Sequence, residues 1–277
     1  MTFRFLLIIL SMITADAPLA EEPRFRPLRM ELISEFDSIQ PGQRFHLGIR
    51  QRIAPGYHSY WRNPGTVGMP MQASWKLPPG FTAGDLLWPI PESGKMAAYT
   101  IWGYHDEALL TTEIMVPTNA VPGTASTFTL AANWMCCGEA CFPDNETLSI
   151  TLPITEATRT NTSAHAAISR TLAAQPRSSD RWHVSVSTES ERYELRISPR
   201  SGLARLPTSA RFFDYDRQVS SDKGQAVHRS NNALRITLHQ EEHTGDRLPR
   251  LRGMLVTDGY WEAGLKALAV DIPIPGR

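Results

Sequence analysis

The chain has 277 residues, enough for two domains of ordinary size, each with its own core. With 42% hydrophobic and 20% charged residues its composition is globular, and 28 Lys+Arg against 28 Asp+Glu leave no net field to draw nucleic acid or anionic lipid. Its 21 prolines and 18 glycines demand many turns, which favours short strands.

The first twenty residues have the layout of a secretory signal peptide: Arg4, an apolar run from Phe5 to Ile13, then Ala15, Ala17 and Ala20. Removal after Ala20 and export are expected. Nothing later reaches the ~20 apolar residues of a membrane helix, so no transmembrane segment is expected in the mature chain. From Phe45 the apolar residues alternate through Leu47, Ile49 and Ile53, a half-buried strand, and further strand patterns lie at 108–116, 126–133 and 147–152. Pro55-Gly56, Asn63-Pro64-Gly65, Pro78-Pro79-Gly80 and Pro122-Gly123 punctuate them, as in a β-sandwich. After Pro153 the chain turns polar, then rich in Ala, Ile and Leu over 164–174, which predicts one helix ended by Pro176. Strand patterns return at 182–186, 193–197, 233–238, 254–256 and 265–272 without a cysteine. The expectation is an all-β chain: a first sandwich domain over 21–155, a linker with one helix over 156–180, and a second sandwich over 181–277.

The segment WMCCGEACFP holds all three cysteines, an odd number for an exported chain. A disulfide between Cys137 and Cys141 needs Cα atoms roughly 4.4–6.8 Å apart, whereas an extended strand would hold them about 13 Å apart. A turn, or one turn of helix, is therefore required. A bridge closing so short a loop stabilises by only about 2 kcal/mol, while thiol-disulfide exchange needs two close cysteines so that one resolves what the other forms. A local structural clip is the competing reading. Cys136 should point to the opposite face from Cys137 and be buried as a small hydrophobe or stand as a spare thiol, rather than act as the working partner.

Tyr57, Tyr60, Trp61, Trp75, Trp88, Tyr99, Trp102, Tyr104 and Trp134 crowd the stretch before the pair. Core packing accounts for such rings; the sharper expectation is that one or two of them cap the thiols, with Tyr60, Trp61 and Trp134 as candidates. His58, His105, Met69, Met71, Met96 and Met135 offer soft-metal donors, and a copper-handling module is the alternative function, but their spacing is not specific. Asn145-Glu146-Thr147 and Asn161-Thr162-Ser163 match glycan-acceptor spacing, a short pattern that recurs by chance. Phosphate loops, nucleophile elbows and HExxH are absent, which argues against a hydrolase or nucleotide-dependent enzyme.

PGYHSYWRNPGTVGMP (55–70), WKLPPGF (75–81), LLWPIPE (86–92), WGYHDEALL (102–110) and WMCCGEACFPD (134–144) together resemble the exported N-terminal region of DsbD-type and ScsB-type protein-disulfide reductases, as do RFFDYDRQV (211–219) and LRGMLVTDG (251–259) more loosely. The resemblance implies immunoglobulin-like folds, a periplasmic location and Cys137 and Cys141 as the redox-active disulfide. It implies a relay of reducing equivalents between a membrane thiol carrier of the DsbD/CcdA type and periplasmic thioredoxin-like proteins, without a cofactor. Cys136 stands where an apolar residue is usual, and Thr66 where an acidic one is frequent. Because the sequence stops at Arg277 with no membrane carrier or thioredoxin-like domain, the resemblance implies a redox component that receives electrons from a separate protein.

Overall fold

The structure, a computed structural model, describes residues 25–200, 205–242 and 248–276; the expected signal peptide at 1–20 lies outside the described residues. The N-terminal half contains β1 (Leu28–Ser34), β2 (Phe36–Ser38), β3 (Arg44–Ile53), β4 (Ser59–Gly65), β5 (Gln72–Lys76), β6 (Thr82–Leu87), β7 (Glu92–Met96), β8 (Tyr99–Tyr104), β9 (Glu107–Met115), β10 (Ala125–Cys137), β11 (Cys141–Pro153) and β12 (Arg159–Thr160). Helix α1 (Thr162–Ala173) follows, then β13 (Trp182–Glu189), β14 (Arg192–Pro199), β15 (Arg211–Asp214), β16 (Ala226–Arg229), β17 (Leu234–His239), β18 (Arg250–Val256) and β19 (Ala267–Pro273).

Sheets β1-β3-β9-β6 and β11-β10-β5 face each other as an immunoglobulin-like sandwich. Phe45, Leu47, Ile114, Phe128 and Leu152 fill part of the space between them. Alternation makes this possible: along β10, Phe128, Leu130, Ala132, Trp134 and Cys136 turn inward while Thr127, Thr129, Ala131, Asn133 and Met135 turn outward. A third sheet, β4-β8-β7, and the small pair β12-β2 complete this half. In the C-terminal half β13-β14-β17-β16 packs on β15-β18-β19 around Tyr193, Leu195, Phe212, Leu255 and Trp261. Among the described residues no sheet mixes strands of the two halves.

All the strand patterns named from the sequence fall in strands, but none was named between 53 and 108, where β4 to β8 lie. Several of these are short and mostly exposed, such as β5 and β7, so they show no apolar alternation. The helix begins two residues before its apolar content, because Asn161 caps it by accepting the Ala164 N–H at 3.1 Å.

Two features of this fold position the cysteines. The β10–β11 hairpin runs in unbroken register from Ala125↔Pro153 to Cys137↔Cys141, and β4 meets its end through a bridge between His58 and Cys137. The other is the contact between halves, where Trp61 and Trp102 pack edge-on to Phe213 and the Asn63 amide donates to the Asp214 carbonyl at 2.7 Å.

Candidate functional site

Cys137 and Cys141 are disulfide-bonded, with Cα atoms 4.1 Å apart. The turn required by the sequence is the tip of a hairpin: the two cysteines are the last cross-strand pair, closed by Gly138, Glu139 and Ala140, with the Gly138 N–H donating to the Ala140 carbonyl at 3.0 Å. A directly opposed pair shares one face of a sheet, which brings both sulfurs to the same side. Gly138 is needed there because the Pro55-Gly56 turn presses on the tip; a Cβ at 138 would lie 2.6 Å from the Gly56 carbonyl oxygen.

The pair is asymmetric. Cys141 is exposed, whereas Cys137 is 0% exposed although alternation puts it on the outer face of β10. What buries it is the third sheet folding over the hairpin end. The His58 N–H donates to the Cys137 carbonyl at 2.8 Å and the Cys137 N–H donates to the His58 carbonyl at 3.0 Å, and Tyr60 and Ile101 pack around Cys137 with Val67, Met96 and Met135 at the edge.

Behind this cover lies a short polar chain. The Tyr60 hydroxyl lies 3.3 Å from Met96 Sδ and 3.2 Å from His58 Nε2, so it joins the two side chains. Burial, helped by His105 with its ring 5.9 Å away, pushes His58 down to about 4, so it stays neutral at ordinary pH. Burial first, and the neighbouring Cys136 second, push the Tyr60 hydroxyl up to about 12. His105 itself stands at the surface, 2.8 Å from the Glu92 carboxylate.

Of the three residues expected to cap the thiols, Tyr60 touches the Cys137 cluster. Trp61 and Trp134 lie in a neighbouring apolar cluster with Trp102, Phe213 and the inward-facing Cys136. Burial pushes the Cys136 thiol up to about 12, against the opposing pull of a His58 backbone hydrogen bond. Nothing in the local pattern around Val67, Met96 and Ile101 signals a cover for the thiols, because each reaches Cys137 only through the folding of the third sheet. Among the described residues no three His, Cys, Asp or Glu side chains converge as a metal site.

Phe25, 55% exposed, meets Tyr57 and Phe142 at 5.6 Å each, forming an aromatic ledge beside Cys141.

The family profile described as "Thiol:disulfide interchange protein DsbD, N-terminal" matches residues 26–153. The N-terminal periplasmic domain of ScsB from Proteus mirabilis superposes with a TM-score of 0.65 at 15% identity, covering 92% of this chain and 96% of that one, which establishes a shared fold across both halves. The reduced N-terminal domain of Neisseria meningitidis DsbD matches at 18% identity with a TM-score of 0.30, covering 45% of this chain and 85% of that one. No curated protein sequence matches.

Proposed function

We propose, from the match of residues 26–153 to the DsbD N-terminal family profile, that this protein exchanges disulfides with partner proteins through Cys137 and Cys141, relaying reducing equivalents between a separate membrane thiol carrier and soluble thioredoxin-like proteins. The observation that carries the proposal is a disulfide running from a covered Cys137 to an exposed Cys141 at a hairpin tip.

That asymmetry supports one order of steps. A thiolate of the reductant attacks Cys141 Sγ; the bond to Cys137 breaks, a mixed disulfide forms, and the Cys137 sulfur leaves with the electron pair. A second thiolate of the reductant then releases Cys141, leaving two reduced cysteines and an oxidised donor. In the onward step the Cys141 thiolate attacks the acceptor's disulfide, and Cys137 resolves the mixed disulfide by closing on Cys141 again. Exposure governs which sulfur an incoming protein reaches, and closeness governs resolution.

The same reading takes 21–155 as the redox domain, 156–180 as the connecting stretch and 181–277 as a second sandwich, a division supported by the segregation of the sheets. Export to the periplasm with loss of residues 1–20 belongs to it as well. No helix of the described residues is long and apolar enough to cross a membrane.

Trapping in the native compartment tests the proposal. Cys137→Ser leaves the exposed thiol without its resolving partner and is expected to accumulate mixed disulfides. Cys141→Ser, with its remaining thiol covered, should trap far less. Capture of no partner by either variant would overturn exchange, and capture by Cys141→Ser alone would reverse the assigned order. An inert clip would instead resist reduction, with a potential below about −300 mV.

A further inference from the structure

We propose that Ser221 and Asp222, from the C-terminal half, clip down the segment that covers Cys137, making that half a positioning element for the disulfide of the other. The inference rests on the exchange reading for its purpose, but its geometry stands separately.

The cover has two backbone pieces. One is the stretch around Val67, which packs on the Tyr60–Ile101–Cys137 cluster, and the other is β8, which supplies Ile101. The first piece is poorly held by its own half. β4 pairs with β8 at Ser59↔Tyr104 and Tyr60↔Gly103, loses register, and regains one pair at Gly65↔Ile101; residues 66–71 belong to no strand. Gly68, with φ at +102°, lies so close to the Tyr60 ring that a Cβ would come within 2.1 Å of it.

Ser221 and Asp222, on the stretch between β15 and β16, grip both pieces at the residues adjoining the cover. The Thr66 N–H donates to Ser221 Oγ at 3.0 Å, and the Thr66 hydroxyl donates to one oxygen of the Asp222 carboxylate. The other carboxylate oxygen accepts the Thr100 N–H, and Ser221 Oγ lies 3.2 Å from the Thr100 carbonyl, which it donates to. One carboxylate thus ties Thr66, next to Val67, to Thr100, next to Ile101. The approach is close enough to exclude a side chain at Gly65, where a Cβ would stand 2.7 Å from both Ser221 Oγ and the Thr100 carbonyl. Hydrogen bonds to an ionised acceptor are the stronger kind, so losing them lets this unladdered segment lift and exposes the sulfur beneath.

The test uses the full chain, reduced and then alkylated with iodoacetamide, with the modification rate of each cysteine followed separately by peptide mass. Cys136, facing the tryptophan cluster, is the internal control. In Asp222→Ala the Cys137 rate should rise about fivefold with the Cys136 rate unchanged, a modest factor because the carboxylate is solvent-exposed. Asp222→Asn keeps an acceptor for the Thr100 N–H and should restore most of the protection. Thr66→Val, which alters only the N-terminal half and preserves side-chain shape, should also speed Cys137, and the double variant Asp222→Ala/Thr66→Val should go no faster than the faster single one. Unchanged Cys137 rates, additive effects, or a parallel rise at Cys136 would each overturn the clip. Should Asp222→Ala not fold, Asp222→Asn and Thr66→Val read the same rates. Failure to trap partners would sink the exchange reading while leaving these rates intact, whereas trapping with unaltered rates would sink the clip alone.

Discussion

Tyr60 carries two contacts that no other side chain in the cover combines: its ring lies against Cys137 and Gly68, and its hydroxyl joins His58 to Met96. Replacing it with Phe keeps the ring and deletes the oxygen, which leaves His58 Nε2 without that partner in a buried place. An orphaned buried polar atom costs about 1–3 kcal/mol, so Tyr60→Phe is expected to lower the unfolding free energy of the oxidised protein by that amount in urea titrations. A loss below a few tenths of a kcal/mol would mean that the hydroxyl chain is energetically idle. Cys136 and Cys137 illustrate how neighbouring residues diverge at this scale. Strand alternation separates the two side chains: Cys136 joins the tryptophan cluster while also meeting the His58 backbone, and Cys137 is covered by Tyr60 and Ile101 of the folded-over third sheet.

At the scale of elements, the hairpin and the helix show two kinds of local control. The hairpin's long register carries the cysteines into opposition, and its tip tolerates only a residue without a Cβ at 138. Gly138→Ala should therefore push the tip away from the Pro55-Gly56 turn, destabilising the protein by about 1–3 kcal/mol as overpacking does. Thermal unfolding of the oxidised variant checks this, and a melting temperature equal to the parent's would show that the turn gives way freely. Helix α1 depends on its first turn: Asn161 accepts the Ala164 N–H and its amide donates to Asp37 at 3.0 Å, tying the helix start to β2. Asn161→Ala should cost about 1 kcal/mol, measured by the same unfolding, without altering the reactivity of Cys141.

For the whole molecule the contact between halves is decisive, and a buried carboxylate organises it. Asp214 is fully buried and accepts the N–H groups of Asp216, Gln218 and Val219, shaping the loop whose start meets Asn63. Burial, only partly offset by those hydrogen bonds, pushes its carboxyl up to about 6 from 3.8. A raised carboxyl binds its proton more tightly in the folded state, so its contribution is fully present below the unfolded value and is lost as pH rises through about 6. His58 acts in the other direction, its lowered value costing stability as pH falls from 6.5 toward about 4. The Asp214 contribution is isolated by comparison with Asp214→Asn: between pH 7 and pH 5 the parent should gain about 1 kcal/mol over the variant in urea unfolding. Parallel profiles for the two proteins would contradict a carboxyl raised by burial.

Much of this was legible in the residue order. The alternation of β3 and β10, the turn dipeptides, the helix before Pro176 and the need for a turn between Cys137 and Cys141 all arise from interactions within a few residues, and the ordered motifs carried the family resemblance. By itself the sequence determined an all-β chain with two close cysteines at a chain reversal. Tertiary structure alone decided which sulfur is open. Cys137 occupies an outward position in its strand and is covered by residues some 35 to 80 positions earlier in the chain, while the grip on that cover comes from Ser221 and Asp222. Local pattern gives the direction of a side chain, but whether solvent lies in that direction depends on which distant segment folds across it.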